Sequence, residues 1–153
     1  MKRIVNQLAL PADGFYTEEI REGRQRVGFK IVTLDGQEAL LAHVDFKTRQ
    51  RVGKYGLDLS GLEAIGVAAL RSAIHARRLL VLDEIGPMEI RSAIFRTLVE
   101  EALDSGIAIL ATISARPLPF THAIKKRPDV TVIEVRRDNR EQVVSELSDQ
   151  FIA

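Results

Sequence analysis

Cysteine is absent from this sequence of 153 residues, which excludes thiol catalysis, disulfide bonds and thiolate-bound metals. A chain without cysteine also fits a reducing compartment, so we predict a cytoplasmic location. Long hydrophobic runs are missing as well, since no stretch approaches the roughly 20 apolar residues of a membrane-spanning helix. The first residues lack the apolar core of a secretory signal. The sequence therefore predicts a protein with no membrane partner.

An excess of one charge is missing too, because 22 lysines and arginines oppose 21 aspartates and glutamates. A formal charge of +1 gives no global field that would attract nucleic acid. Short basic clusters such as Lys125 to Arg127 occur, but acids separate them along the chain. Such clusters are more typical of solvated faces than of a binding stripe. We therefore predict no clear nucleic-acid site.

The chain does contain an apolar fraction of 46%, which is that of an ordinary globular protein. No repeat or composition break suggests a linker, so we predict a single domain over residues 1–153. Periodicity and turn residues predict alternating element types. In chain order these are a helix over 1–8, strands over 14–20, 26–34 and 39–44, a helix over 62–76, a strand over 79–82, a helix over 91–103, a strand over 107–113, a helix over 121–126, a strand over 130–135 and a helix over 141–151.

The second half of this pattern alternates strand and helix three times. Its strands LLVL, residues 79–82, and IAILATI, residues 107–113, are continuously apolar, as expected where helices cover both faces of a parallel sheet. The first half instead predicts a meander of three strands joined by tight turns. We therefore predict an α/β fold with a mostly parallel sheet, plus a β-meander in the first half.

The strand LLVL ends in two acids, Asp83 and Glu84. Ligands of parallel α/β sheets gather outside the carboxyl ends of the strands, and these acids occupy such an end. One carboxylate can join the shell of a Mg²⁺ ion while the next orients and deprotonates a water, which are two needs of nucleoside triphosphate hydrolysis. The competing interpretation is that the acids merely begin a loop, where both residue types are common.

Four segments occur in the order seen in one known family. They are GFYTEEIREGRQRVGFKIVTLDG from residue 14, RVGKYGLDL from residue 51, LLVLDEIGPMEI from residue 79 and ILATI from residue 109. The sequence resembles the nucleoside-triphosphatase family of P-loop proteins found in thermophilic bacteria and archaea, which has a cancer-related human relative. The resemblance covers about residues 2–150. It implies a RecA-like or kinase-like three-layer α/β sandwich that hydrolyses ATP, GTP and other nucleoside triphosphates to diphosphate and phosphate with Mg²⁺.

In the family's pattern LLVLDE is the Walker B strand. The resemblance therefore implies Asp83 as the Mg²⁺ ligand, through water, and Glu84 as the residue that positions or activates the attacking water. It also implies a catalytic role for Arg116, which follows the strand ILATIS and could act as an arginine finger. A solvated loop arginine is the alternative there. The predicted nucleotide-binding residues are Asp83, Glu84, Ile85, Gly86, Lys54 and Tyr55.

Lys54, Tyr55 and Glu89 each have a plainer structural interpretation beside a functional one. Lys54 and Tyr55 could contact phosphate and base, with Tyr55 stacking on the base, although an aromatic residue that caps the core is the plainer interpretation. Glu89 could orient the Walker B loop, but an acid at a helix N-terminus needs no such role. The residue types alone leave these alternatives open.

A GxxxxGK[ST] phosphate loop, the Walker A motif, is missing from the 153 residues. The segment GRQRVGFK, residues 23–30, places Phe29 where lysine belongs and lies in a predicted hairpin. Family members begin with a strand and this loop, so we expect an N-terminally incomplete domain without its first central strand. An open sheet edge of this kind favours self-association. An internal start codon and a genuine loss of the loop are both open explanations.

Two other functions stay open beside hydrolysis. One is a catalytically dead nucleotide-fold protein that binds a partner, against which the intact Asp83-Glu84 pair argues mildly. The other is a nucleotide or nucleoside kinase, because related P-loop folds transfer the γ-phosphoryl group to small acceptors. A kinase consumes ATP only when an acceptor is present, whereas a phosphatase releases phosphate with water alone.

Overall fold

The computed structural model describes residues 1–8 and 10–152, so positions 9 and 153 of the predicted domain lie outside it. The sequence forms five α-helices and seven strands within these residues. In chain order they are α1 (Lys2–Gln7), β1 (Ala12–Glu22), β2 (Gln25–Thr33), β3 (Glu38–His43), β4 (Arg51–Val52), β5 (Tyr55–Leu57), α2 (Val67–Ala76), β6 (Leu79–Ile85), α3 (Ala93–Asp104), β7 (Ile109–Ile113), α4 (Pro119–Lys125) and α5 (Arg140–Ile152). A π-helical turn, Leu62–Gly66, precedes α2, and a 3₁₀ turn, Glu89–Arg91, precedes α3.

The seven strands form one sheet in the order β4-β5-β3-β2-β1-β6-β7. Strands β1, β6 and β7 run parallel to one another, whereas β2 to β5 extend the sheet through antiparallel pairs. The predicted α/β fold with a meander is confirmed. The sheet as a whole is mixed, and the expected parallel arrangement holds only for β1, β6 and β7, because the meander supplies the larger share of the strands.

Helices cover both faces of the parallel part of the sheet. Side chains alternate along a strand, so Phe15 of β1 and Leu82 of β6 pack in one cluster with α2 and α3. Their neighbours Tyr16 and Val81 pack on the other face, where α1 and α5 lie. This gives the predicted three layers, with β6 buried in the middle one. The rings of Phe15 and Phe95, 6.0 Å apart, join β1 to α3.

The prediction of a strand over residues 130–135 is wrong. Those residues form no ladder with any of the seven strands, and Val132, Ile133 and Val135 are 51%, 43% and 58% exposed. A strand needs a partner for its backbone N–H and C=O groups. The apolar, β-branched composition of this segment predicted a strand. Because the segment pairs with no strand, its three hydrophobic side chains are instead exposed to solvent.

Element boundaries also move at the end of β6. The strand was expected to stop at Leu82, but it continues to Ile85, so Asp83 and Glu84 lie within the strand, immediately before its last residue. The helix expected to begin at Arg91 instead begins at Ala93, after Ser92 caps it by accepting a hydrogen bond from the Phe95 N–H at 3.2 Å. The short strands β4 and β5 have no counterpart in the sequence prediction.

Within the described ranges, 1–8 and 10–152, no helix combines the length and the apolar character needed to cross a membrane.

Gly14 lets β1 approach β6 closely. Its φ is +139°, and a Cβ there would lie 1.8 Å from the carbonyl oxygen of Val81. We expect Gly14→Ala to lower the free energy of unfolding by roughly 3 kcal/mol or more, since strain and overlap combine. Gly23→Ala is the matched control, because its φ is also positive but nothing lies within 4 Å, so it should cost about 1 kcal/mol. Urea unfolding measures both, and equal losses would contradict the clash.

Candidate active site

Strand β6 carries two carboxyl groups to the carboxyl edge of the parallel sheet. Residues Leu79–Leu82 are buried, and Asp83 and Glu84, which are joined by a cis peptide bond, are partly exposed. Because β1 and β7 run parallel to β6 on either side, the carboxyl ends of all three strands meet at this edge. The two acids therefore lie where such sheets bind ligands.

Asp83 is held from the neighbouring strand β7. The Thr112 hydroxyl donates a hydrogen bond of 2.6 Å to Oδ1 of Asp83. On the other side, Tyr16 of β1 lies opposite Asp83, and burial followed by the negative charge of Asp83 raises the pKa of the Tyr16 phenol. Hydrogen bonding thus fixes one oxygen of Asp83 and leaves Oδ2 for a ligand.

Glu84 is partly withdrawn from solvent. Burial raises the pKa of its carboxyl group, the adjacent Asp83 raises it further, and the positive charge of Arg116 lowers it. The carboxyl group folds back over Gly86, where an added Cβ would lie 2.6 Å from the Glu84 carboxyl carbon. Glycine at position 86 therefore leaves room for this side chain. The resulting group is a carboxylate with raised proton affinity, as a general base requires.

The loop after β7 places Arg116 near this pair. The Ser114 N–H donates to the Ile85 carbonyl at 3.1 Å, which ties the end of β7 to the end of β6. The Arg116 N–H then donates to the Ser114 hydroxyl at 3.2 Å, and Lys125 donates to the Ser114 carbonyl at 2.6 Å. The Arg116 side chain itself is exposed, so a guanidinium group stands at the edge of the site and faces solvent.

Lys54 and Tyr55 lie away from the two acids. Strands β3, β2 and β1 separate β5 from β6, which corresponds to roughly 19 Å across the sheet at the usual strand spacing. The Tyr55 ring is 6% exposed and its hydroxyl accepts a hydrogen bond from Arg26 at 3.0 Å. The Lys54 ammonium lies 5.5 Å from the centre of that ring. These two residues belong to the meander and are not brought together with Asp83.

Ile85 and Gly86 are both buried. The Ile85 side chain belongs to the main hydrophobic cluster, so only backbone groups of this pair can face a ligand. A small cavity of about 110 Å³, lined by residues that include Asp13, Asp35 and Ser72, lies at the amino-terminal end of β1. That cavity contains none of the predicted site residues.

Glu89 is the residue whose importance the sequence prediction underrated. It is 1% exposed; its Oε1 accepts a hydrogen bond from the Thr17 hydroxyl at 3.2 Å, and no described residue bonds to its buried Oε2. Burial raises the pKa of Glu89 to about 7, and the charge of Glu84 contributes, against hydrogen bonds from Thr17 and nearby backbone N–H groups. The available signal was an acid placed between the apolar residues Met88 and Ile90.

The donor set fits a weakly held hard cation. No group of three or more histidines or acids in the described part of the chain could enclose a metal ion. At the end of β6, Asp83 offers a carboxylate oxygen, Oδ2, beside the Thr112 hydroxyl that is bonded to Oδ1. Mg²⁺ keeps several of its waters and takes its remaining ligands from one or two carboxylates and substrate phosphates. Asp83 fits this pattern, whereas a metal that requires a full protein cage would not fit.

Helices on both faces of a sheet whose parallel strand β6 carries two acids near its carboxyl end define a three-layer α/β fold with a candidate ligand site at that edge. A family model described as NTPase matches residues 1–148. The chain therefore belongs to this nucleoside-triphosphatase family, and the predicted resemblance is confirmed.

Relatives and solved structures agree with this assignment. The chain is 46% identical over 143 residues to nucleoside-triphosphatase THEP1 of Thermotoga maritima, covering 94% of this chain and 82% of that protein. It is 36% identical over 157 residues to the human cancer-related nucleoside-triphosphatase, covering 94% and 83%. The crystal structure of THEP1 from the hyperthermophile Aquifex aeolicus superposes with a TM-score of 0.89 at 31% identity, covering 99% of this chain and 90% of that one.

The buried Glu89 predicts a pH-dependent stability. Its ordinary pKa of 4.5 becomes about 7 in the folded state, so the folded state prefers the protonated acid. Below pH 4.5 both states hold the proton and stability is unaffected. As the pH rises from 4.5 to 7 the unfolded chain releases its proton first, and the native state loses roughly 3 kcal/mol of stability relative to a permanently neutral side chain.

We therefore expect Glu89→Gln to gain roughly 3 kcal/mol over the wild type between pH 4 and pH 8, as measured by urea unfolding at each pH. Glu100→Gln is the control, since Glu100 is exposed on α3, and its profile should parallel the wild type. Parallel profiles for Glu89→Gln and wild type would show that Glu89 ionises normally.

Proposed function

We propose that this protein hydrolyses nucleoside triphosphates, ATP and GTP among them, to diphosphate and phosphate with Mg²⁺. The observation that carries the proposal is the pair Asp83 and Glu84 at the end of β6, with Thr112 bonded to the first acid and Arg116 acting on the second. The names of the relatives, nucleoside-triphosphatases, support the same reaction. A cytoplasmic location stays a prediction from the cysteine-free composition.

Each residue then has a separate task. Asp83 would hold Mg²⁺ through water, and the ion would neutralise phosphate charge. Glu84 orients the attacking water and accepts its proton as the water oxygen bonds to the γ-phosphorus and the bond to the β–γ bridging oxygen breaks. Arg116 meets the charge that develops on the γ-phosphate oxygens. We assign β6 the role of the Walker B strand on this basis.

We expect the lack of a phosphate-binding loop to limit the rate of hydrolysis by this chain. The 153 residues contain no GxxxxGK[ST] motif, so they offer no loop of that type whose backbone N–H groups would hold the β- and γ-phosphates. Asp83 and Glu84 alone repel a triphosphate. We therefore expect weak binding of Mg²⁺-ATP and slow phosphate release by the 153-residue chain. The role of each residue is then tested by the ratio of the phosphate-release rate of its variant to that of the wild type.

Glu84→Gln should lower phosphate release by roughly 10²-fold while nucleotide affinity is retained, because the amide cannot accept the proton of the attacking water. Phosphate release from Mg²⁺-ATP and Mg²⁺-GTP measures the rate, and calorimetry measures the affinity. Glu100→Gln serves as the control and should match the wild type.

The same assay separates the other functions. Phosphate release that is equal in Glu84→Gln and wild type would remove Glu84 from the reaction. Nucleotide binding without any release would indicate a binding protein that has lost catalysis. Consumption of ATP only after a nucleoside or nucleotide acceptor is added would indicate a kinase.

We also propose that the open sheet edge supports self-association with a second copy. Strand β7 is the last strand of the sheet and pairs with β6 alone among the described residues, which leaves backbone donors and acceptors free along its other edge. Segment 130–135 adds three exposed apolar side chains that no strand covers. Unpaired edges and exposed apolar patches are the features through which chains associate.

The apparent mass of the wild type should accordingly exceed 17.1 kDa as its concentration rises in light-scattering measurements. The double variant Val132→Lys with Val135→Lys should shift it toward the monomer, since charged side chains oppose burial of the segment. Leu40→Lys is the matched control, because Leu40 is 49% exposed on the distant strand β3. A monomeric wild type, or an equal effect of Leu40→Lys, would contradict this surface.

A further inference from the structure

The loop that carries Arg116 is poor in backbone hydrogen-bond donors. It runs from Ser114, just after β7, to Pro119, the first residue of α4. Pro117 and Pro119 have no backbone N–H group to donate. A turn around Pro117 is closed by the Leu118 N–H, which donates to the Arg116 carbonyl at 2.8 Å. Because so few backbone donors are left in the loop, side chains are needed to pair its other polar groups.

Lys125, the last residue of α4, reaches back to the start of this loop. Its ammonium group donates a hydrogen bond of 2.6 Å to the Ser114 carbonyl, and Lys125 itself is half-buried. The helix that carries it is fixed on the core, because Thr121 and Ile124 are 0% and 6% exposed. A hydrogen bond with a charged donor is stronger than a neutral one. The end of a fixed helix therefore holds the first carbonyl group of the loop.

Ser114 connects this restraint to the site. Its N–H donates to the carbonyl of Ile85, the residue after Glu84, at 3.1 Å. Its hydroxyl accepts a hydrogen bond from the Arg116 N–H at 3.2 Å, and Ser114 is buried. One buried residue thus contacts the end of β6, the backbone of Arg116 and the ammonium group of Lys125. The position of Ser114 therefore sets where the Arg116 backbone lies relative to Glu84.

We propose that Lys125 is a positioning residue for Arg116. Its bond to the Ser114 carbonyl keeps the loop in the conformation that presents the guanidinium group at the edge of the two acids. This inference rests on the proposed function, in which Arg116 meets the charge that develops on the γ-phosphate oxygens. Such a group must be held in place before the reaction, because a displacement of about 1 Å can cost roughly 10²-fold in rate. Lys125 touches no reacting atom in this scheme and acts through Ser114.

Lys125→Met removes the ammonium group and keeps most of the length of the side chain. We expect it to lower kcat for phosphate release from Mg²⁺-ATP roughly 10-fold, because the charged hydrogen bond is lost. KM should change by less than about 2-fold, since the ground-state contacts of the nucleotide are retained. Lys125→Arg should recover most of the rate, because a guanidinium N–H can donate to the same carbonyl. Lys126→Met is the matched control, since Lys126 is the exposed neighbour, and it should match the wild type.

A double variant separates positioning from a general loss of stability. Once Arg116→Ala has removed the guanidinium group, Lys125→Met should lower kcat no further, because no side chain is left to position. A general loss of stability would instead lower the rate by the same factor in both backgrounds. Equal factors in the two backgrounds overturn the inference, as does a Lys125→Met variant with the kcat of the wild type.

Amide hydrogen exchange tests the same restraint without nucleotide or metal. The Arg116 N–H is bonded to the Ser114 hydroxyl, and its exchange should be roughly 10-fold faster in Lys125→Met and unchanged in Lys126→Met. Lys125→Gln, which has a shorter and uncharged side chain, is measured in the same way if Lys125→Met fails to fold. Exchange that is equal in the wild type and the Lys125 variants overturns the inference. If the wild type releases no phosphate, the proposed function fails, while exchange still decides whether Lys125 restrains the loop.

Discussion

The burial of β6 between β1 and β7 is the constraint on which the rest of the structure depends. Residues Leu79–Leu82 are buried and contribute alternately to the two hydrophobic clusters, one beneath α2 and α3 and the other beneath α1 and α5. A shift of one residue would exchange the two faces of the strand. Because the core fixes the register of β6, it also fixes where Asp83 and Glu84 emerge, and the geometry of the site follows from packing.

The site concentrates negative charge, which is an unusual way to receive a triphosphate. Asp83, Glu84 and Glu89 lie within seven residues, and each has a different environment. The Thr112 hydroxyl donates a hydrogen bond to Asp83. Burial raises the pKa of Glu84, and the positive charge of Arg116 lowers it. Glu89 is buried. Environments that separate the proton affinities of neighbouring acids also separate their roles. Under the proposed function, Asp83 would serve the cation and Glu84 the attacking water.

Sequence patterns predicted what depends on local periodicity and missed what depends on partners. The apolar run before Asp83 and Glu84 identified both β6 and the edge where ligands bind. The β-branched residues near Val132 have the composition of a strand, but a strand requires an edge to pair with, and composition does not report whether one is present. Burial of Glu89 depends on how a turn folds against β1, and the distance of Tyr55 from the acids depends on strand order. Residue spacing along the sequence predicts neither the burial of Glu89 nor the distance of Tyr55 from the acids.

Strand β7 connects the site to the outer edge of the sheet. Its inner edge pairs with β6, and at that end Thr112 bonds to Asp83 while Ser114 bonds to Ile85. Its outer edge is free of any described strand. A strand that pairs there would restrain the backbone that carries Thr112, and so would restrain Asp83, without placing any side chain in the site. Pairing of the proposed kind at this edge would therefore act on Asp83 through a single five-residue strand.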